Sequence, residues 1–143
     1  MNDQTVAVSQ SVIHHDAALR VVQAALAKAE SLGISVCVAV VDSSGRLAGF
    51  ARMPKAFLIS SDLAIKKAHA AAAVGIAPEV VEEVLGQEAP RVREGLLLTG
   101  FTLIRGGLPL RAGEDLIGAV GVSGGPESLD VECAQAGVAA LRA

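Results

Sequence analysis

Hydrophobic positions along the chain change period several times, and each change marks an element. From Asp16 to Leu32, Leu19, Val22, Leu26 and Ala29 recur at steps of three and four, and Gly33 follows. This spacing predicts an amphipathic helix closed by a glycine C-cap. Ser35 to Asp42 (SVCVAVVD) is short, β-branched and apolar, which predicts a buried strand. Ser43-Ser44-Gly45 is a turn signal, and Arg46 to Met53 reads as the return strand of a hairpin. Pro54 ends it. The Ala-rich stretch Leu63 to Val74 predicts a helix, capped by Ser60 or Ser61 and stopped at Gly75. A shorter helix is expected from Pro78 to Gly86.

Residues 87–100 carry no clear period, and Pro90 argues against one continuous helix. Phe101 to Ile104 and Leu108 to Leu110 read as strand material around Gly106-Gly107, and Arg111 to Asp115 as a turn. Leu116 to Val122 (LIGAVGV) reads as another strand. Gly124-Gly125-Pro126 leads into a last helix over Glu127 to Leu141. Residues 1–13 form a loose or strand-like leader. Hairpins imply antiparallel pairing, and apolar central strands imply a sheet covered on both faces. The expected class is α/β (α+β), one domain over residues 1–143.

Composition sharpens this picture. The 143 residues are 52% hydrophobic and 19% charged, which excludes a disordered chain. There are 26 alanines and 15 glycines, so helices and sheet are expected to approach closely. Net charge is −3, with no Trp, no Tyr and 3 Phe. Neither a basic footprint nor stacking platforms for nucleic acid are present. Mean hydropathy is +0.51, yet apolar runs such as Val36 to Val41 fall far short of the ~20 residues of a membrane span. The opening Met1-Asn-Asp-Gln lacks a secretory pattern. Cys37 and Cys133 are then expected as reduced thiols in a cytoplasmic protein.

Several residues could carry chemistry. Adjacent helical residues point about 100° apart, so His14 and His15 are not expected to share a metal, and no metal site is expected. Either imidazole could still ligate a haem iron; the plainer reading is a solvated helix start. His69, in Lys66-Lys67-Ala68-His69, could serve as base or ligand; the plainer reading is a partly buried, hydrogen-bonded histidine. Arg52, Arg105 and Arg111 could hold ligand carboxylates through their guanidinium forks, or be solvated turn charges. Gly106-Gly107-Leu108-Pro109 could line a pocket wall. Ser123-Gly124-Gly125-Pro126 precedes the last helix, where amides could bind an anionic oxygen, with Asp130 in the first turn.

Together these segments resemble a known family. Val40-Val41-Asp42-Ser43-Ser44-Gly45-Arg46-Leu47 with Ala51-Arg52-Met53, the Ser60–Ala71 helix, Gly106-Gly107-Leu108-Pro109-Leu110 and Gly118-Ala119-Val120-Gly121-Val122-Ser123-Gly124-Gly125 with Asp130 are similar to signatures of the GlcG/HbpS-like haem-degrading domain family. That family includes the C-terminal domains of PduO-type proteins. The resemblance covers about residues 16–141 and implies a profilin-like three-layer α/β/α fold with a five-stranded antiparallel sheet. It also implies homo-oligomers, and binding of haem or another tetrapyrrole. His14, His15 or His69 would then be axial ligand, and Arg52, Lys67 or Arg105 would pair with propionates.

The sequence departs from the family where its helix commonly reads K-A-(R/Y)-T-A; here it is Lys67-Ala68-His69-Ala70-Ala71. A hydroxyl is lost and an imidazole gained. This leaves open a cofactor-independent isomerase, lyase or hydrolase. Its catalytic set would be His69, Lys67 and Asp130, with Gly107 lining the pocket, Gly124 and Gly125 amides as oxyanion donors and Arg52 on a substrate carboxylate. A non-catalytic accessory subunit is the third reading.

Overall fold

Small residues let the layers of this fold lie close together. The computed structural model describes residues 4–142. Nine elements follow in order: α1 (His15–Leu32), β1 (Cys37–Asp42), β2 (Leu47–Arg52), α2 (Ile59–Val74), α3 (Pro78–Leu85), α4 (Pro90–Leu98), β3 (Gly107–Ala112), β4 (Asp115–Ser123) and α5 (Glu127–Ala139). The strands form one antiparallel sheet in the order β2-β1-β4-β3. Alternation along central β1 splits the core in two. Val38 and Val40 face α1 and α5, while Cys37, Ala39 and Val41 face α2. Both sheet faces are covered, as the apolar central strands predict.

On the α2 side the packing is set by alanine and glycine. Ala64, Ala68 and Ala71 of α2 are fully or almost fully buried. A Cβ on Gly121 would run into the Ala64 carbonyl oxygen and the Ala68 nitrogen, so only glycine lets α2 rest directly on β4. α2 covers β4, β1 and β3.

Several expectations need correcting. Among the described residues the sheet has four strands, not five. Residues 101–104 form no strand, because their polar groups turn to side chains. Ile104 N–H donates to Thr102 Oγ1, and Leu103 O accepts from Arg105 Nη1. Residues 90–98 do form a helix, with Pro90 in its first turn, where the missing N–H costs nothing. α2 begins at Ile59 without a side-chain cap; Ser60 is buried inside it. Leu19 is exposed, and the buried stripe of α1 is Ala18, Val21, Val22, Ala25 and Ala29. Arg111 lies in β3 rather than in a turn, which is reduced to residues 113–114. No helix among the described residues is long and apolar enough to cross a membrane.

Candidate functional site

Most residues singled out by sequence fall into three places. The first is the N-terminus of α1. His14 is the N-cap, with extended backbone (φ −73°, ψ 144°), and its Nδ1 accepts a hydrogen bond from Asp16 N–H at 3.1 Å. Because His14 stands outside the helix, its ring does not diverge from that of His15. The two rings stack, with centroids 4.1 Å apart. His15 Nε2 lies 3.6 Å from Asp16 Oδ1, and donor atoms of His14, His15 and Asp16 all lie within 4.8 Å of one another. The expected divergence of the two imidazoles is thus reversed by the cap, and all three side chains are exposed.

The second place joins Lys67, Asp130 and four glycines. Lys67 sits on the buried stripe of α2, and its side chain is 1% exposed. Its Nζ donates to Val122 O at 2.8 Å and to Asp130 Oδ2 at 3.2 Å. Asp130 Oδ1 accepts from Gly125 N–H at 2.9 Å, and the Gly124 amide also favours the charged carboxylate. Gly106 and Gly107 press against Lys67, where a Cβ on Gly107 would meet the Lys67 carbonyl. Burial drives the Lys67 ammonium below its ordinary range and Asp130 above its own; their mutual attraction works against both shifts. The void beside Lys67, walled by Ala71, Ile76, Phe101 and Ile104, has no room for a water molecule.

The sequence puts Lys67 and Asp130 in one candidate catalytic set with His69, but nothing in it pairs them as a buried ion pair across 63 residues. The available signal was the stripe Ser60, Ala64, Lys67 and Ala71, which puts the lysine in line with core positions. Arg105 stands at the edge of this cluster. Its backbone N–H donates to Glu127 Oε2 at 2.8 Å, and its Nη2 is paired with Glu82 Oε1 at 2.6 Å. Glu82 also pairs with Arg93, and these two arginines hold its carboxyl below the usual range. Sequence reasoning missed this bridge because α4, which carries Arg93, was not foreseen.

The third place is the β1–β2 turn. His69 is exposed, with Nε2 packed against Gly45, beside a cleft of about 220 Å³ lined by Ile65, Lys66, Thr99 and Phe101. Asp42 Oδ1 organises the turn, accepting from Ser44 N–H, Ser44 Oγ and Arg46 N–H. Ser43 Oγ donates to Ser11 O, and Ile13 N–H donates to Ile117 O, so the segment before His14 is tied to this end of the sheet. Arg52 lies at the other end of β2. Its Nη2 donates to Pro54 O and Ala56 O. His69 and Lys67 therefore look in different directions, one to solvent and one into the core. Both cysteines are free and buried, and burial pushes Cys133 up to about 11.

Residues 13–139 match the family described as haem degrading protein HbpS-like. The chain belongs to that family. Among curated relatives, the corrinoid adenosyltransferase PduO of Salmonella typhimurium is 35% identical over 127 residues, covering 83% of this chain and 36% of the relative. The chain thus spans little more than a third of that protein. Among solved structures, Klebsiella pneumoniae protein ORFY superposes with a TM-score of 0.88 at 28% identity, covering 99% of each chain. A PduOC:heme complex gives a TM-score of 0.81 at 33% identity, covering 90% of this chain and 94% of that one.

Proposed function

We propose that this protein binds haem or a related tetrapyrrole at the N-terminus of α1, with His15 as the axial ligand. The observation that carries the reading is the stacked, exposed His14–His15 pair beside Asp16. Within it the two imidazoles are not equivalent. His14 Nδ1 is occupied as a helix cap, so in the neutral ring the proton sits on Nε2. Ligating iron through Nε2 would require the other tautomer and the loss of the cap. His15 carries no such duty: its Nε2 faces Asp16 Oδ1 at 3.6 Å, which leaves Nδ1 as the ligating atom, with the carboxylate placed to orient the ring from the other nitrogen. Haem bound there would bring its own iron chemistry; the chain's part is to hold and orient it. The likeness to PduOC, a protein solved with heme, supports the reading at 33% identity.

The same reading selects among the propionate partners. Lys67 and Arg105 are already matched by Asp130 and Glu82. Arg52 stands at the end of β2 remote from the Ser43–Ser11 contact, and its guanidinium is engaged by Pro54 O and Ala56 O. Arg46, in the turn beside Ser43, is the cation at the correct end. Turnover by His69, Lys67 and Asp130 is the weaker reading, since Lys67 is sealed and the Gly125 amide is taken. Self-association belongs to the same proposal. Phe57, Leu58 and Ile59 are 69%, 85% and 70% exposed, a run of apolar surface that a second copy would cover.

Titration with hemin, followed by visible absorption and size-exclusion chromatography, tests this. A saturable Soret shift is expected, retained in His14→Ala and His69→Ala and lost in His15→Ala. No shift in the wild-type protein, or an unchanged one in His15→Ala, would reject the assignment.

A further inference from the structure

Edge strand β3 borders a groove that the proposed tetrapyrrole site does not use. Its walls are the α2–α3 corner, with Ile76 and Val80, and the end of α5, with Val138. The floor is Leu108 and Pro109 of β3, and the cavity measures about 710 Å³. A second compartment of about 520 Å³ continues it past Leu110 and Leu141, sharing Arg111 and Arg142. Ligand pockets commonly span ~300–1,000 Å³. Among the described residues no Asp, Glu, His, Cys or Met lines either compartment.

The charge is fixed in place. Arg111 Nη2 donates to Gly75 O at 2.8 Å and Nη1 to Glu114 O at 3.0 Å. A guanidinium has five N–H donors, so the remaining ones on Arg111 stay available for an anion. Arg142 is exposed at the rim. The floor also bears on the class of occupant. Pro109 has no N–H to offer a further strand, which blunts this edge against pairing with another chain. What the groove complements is an apolar body carrying a negative charge, held without a metal.

We propose that the groove between β3, the α2–α3 corner and α5 binds an amphipathic carboxylate, its chain over Ile76, Val80 and Val138 and its carboxylate on Arg111 and Arg142. The site is separate from the α1 terminus and does not depend on tetrapyrrole binding there.

Decanoate, below its micelle concentration, is the probe, with decanol and decylamine as neutral and cationic controls. Amide chemical shifts of the full chain are followed by NMR. Saturable changes confined to Ile76, Val80, Leu108, Gln135 and Val138 are expected with decanoate and not with decylamine. Arg142→Gln should weaken decanoate by about tenfold or more, and Val80→Glu should abolish it. His15→Ala should leave it unchanged. Arg111 is left intact, because it also holds the end of α2. Equal binding of decanol, indifference to Arg142→Gln, scattered shifts, or no binding because a second copy covers the groove would each overturn the proposal.

Discussion

Removing one half of the Lys67–Asp130 pair should cost this protein a large share of its stability. In Asp130→Ala, Lys67 Nζ keeps the Val122 carbonyl but loses its counter-charge, in a place where its side chain is 1% exposed. The same substitution strips Gly125 N–H of its acceptor. Breaking a buried pair costs about 3–5 kcal/mol, against a total stability of about 5–15 kcal/mol for such domains. For a chain of this length that is a fall of roughly 6–20 °C in Tm. Lys67→Met/Asp130→Leu leaves no uncompensated charge, and it is expected to recover most of the loss. Recovery stays incomplete, because the Gly125 amide remains without its partner. Urea unfolding followed by far-UV circular dichroism measures the wild type, the single variants Lys67→Met and Asp130→Leu and their double, with Asp130→Ala alongside, at one concentration so that self-association does not shift the result. Losses below about 1 kcal/mol in both single variants, or a double variant as unstable as their sum, would refute the buried-clamp reasoning.

Two further outcomes follow from local geometry. Burial raises Asp42, but hydrogen bonds from Ser44 and Arg46 outweigh it and leave the carboxyl below its ordinary value. A depressed folded pKa stabilises above the unfolded pKa and is lost as pH falls through the folded one. The stability advantage of the wild type over Asp42→Ala should therefore be flat near neutrality and shrink under acid, below about pH 4; a constant advantage from pH 7 to pH 3 in denaturant titrations would contradict this. Gly121→Ala should destabilise by about 1–3 kcal/mol or more through overpacking of α2 on β4. Gly95→Ala, where nothing lies within 4 Å, should instead stabilise by up to about 1 kcal/mol; thermal melts of the two variants moving in the same direction would argue against the packing account.

Much of the fold was legible because local chemistry and tertiary need agree in most elements. Gly33 and Gly75 are left-handed C-caps where the helical periods stop, and Pro78 opens α3 as its fixed φ favours. Where the two disagree, the reading fails. Phe101 to Ile104 has strand composition, but among the described residues no neighbouring strand pairs with it, and Ile104 N–H and Leu103 O bond instead to the side chains of Thr102 and Arg105. Leu19 fits the α1 period as well as Ala18 does. Only the closeness of α1 to β2, where Gly49 meets Ala18 and Val22, selects the alanine.

The candidate site divides along the same line. The sequence by itself determined the two-faced sheet, the alanine and glycine that bring α2 onto it, the family signature and the inventory of chemical groups. Those follow from composition and period, which act over a few residues. Tertiary structure alone decided what each group does. It spent Lys67 on Asp130 and Arg105 on Glu82, turned His69 outward against Gly45, and folded the His14 ring beside His15 through a cap. A charge's function depends on its burial and its partner, and partners separated by 63 residues, as Lys67 and Asp130 are, meet only when helix and sheet layers have packed.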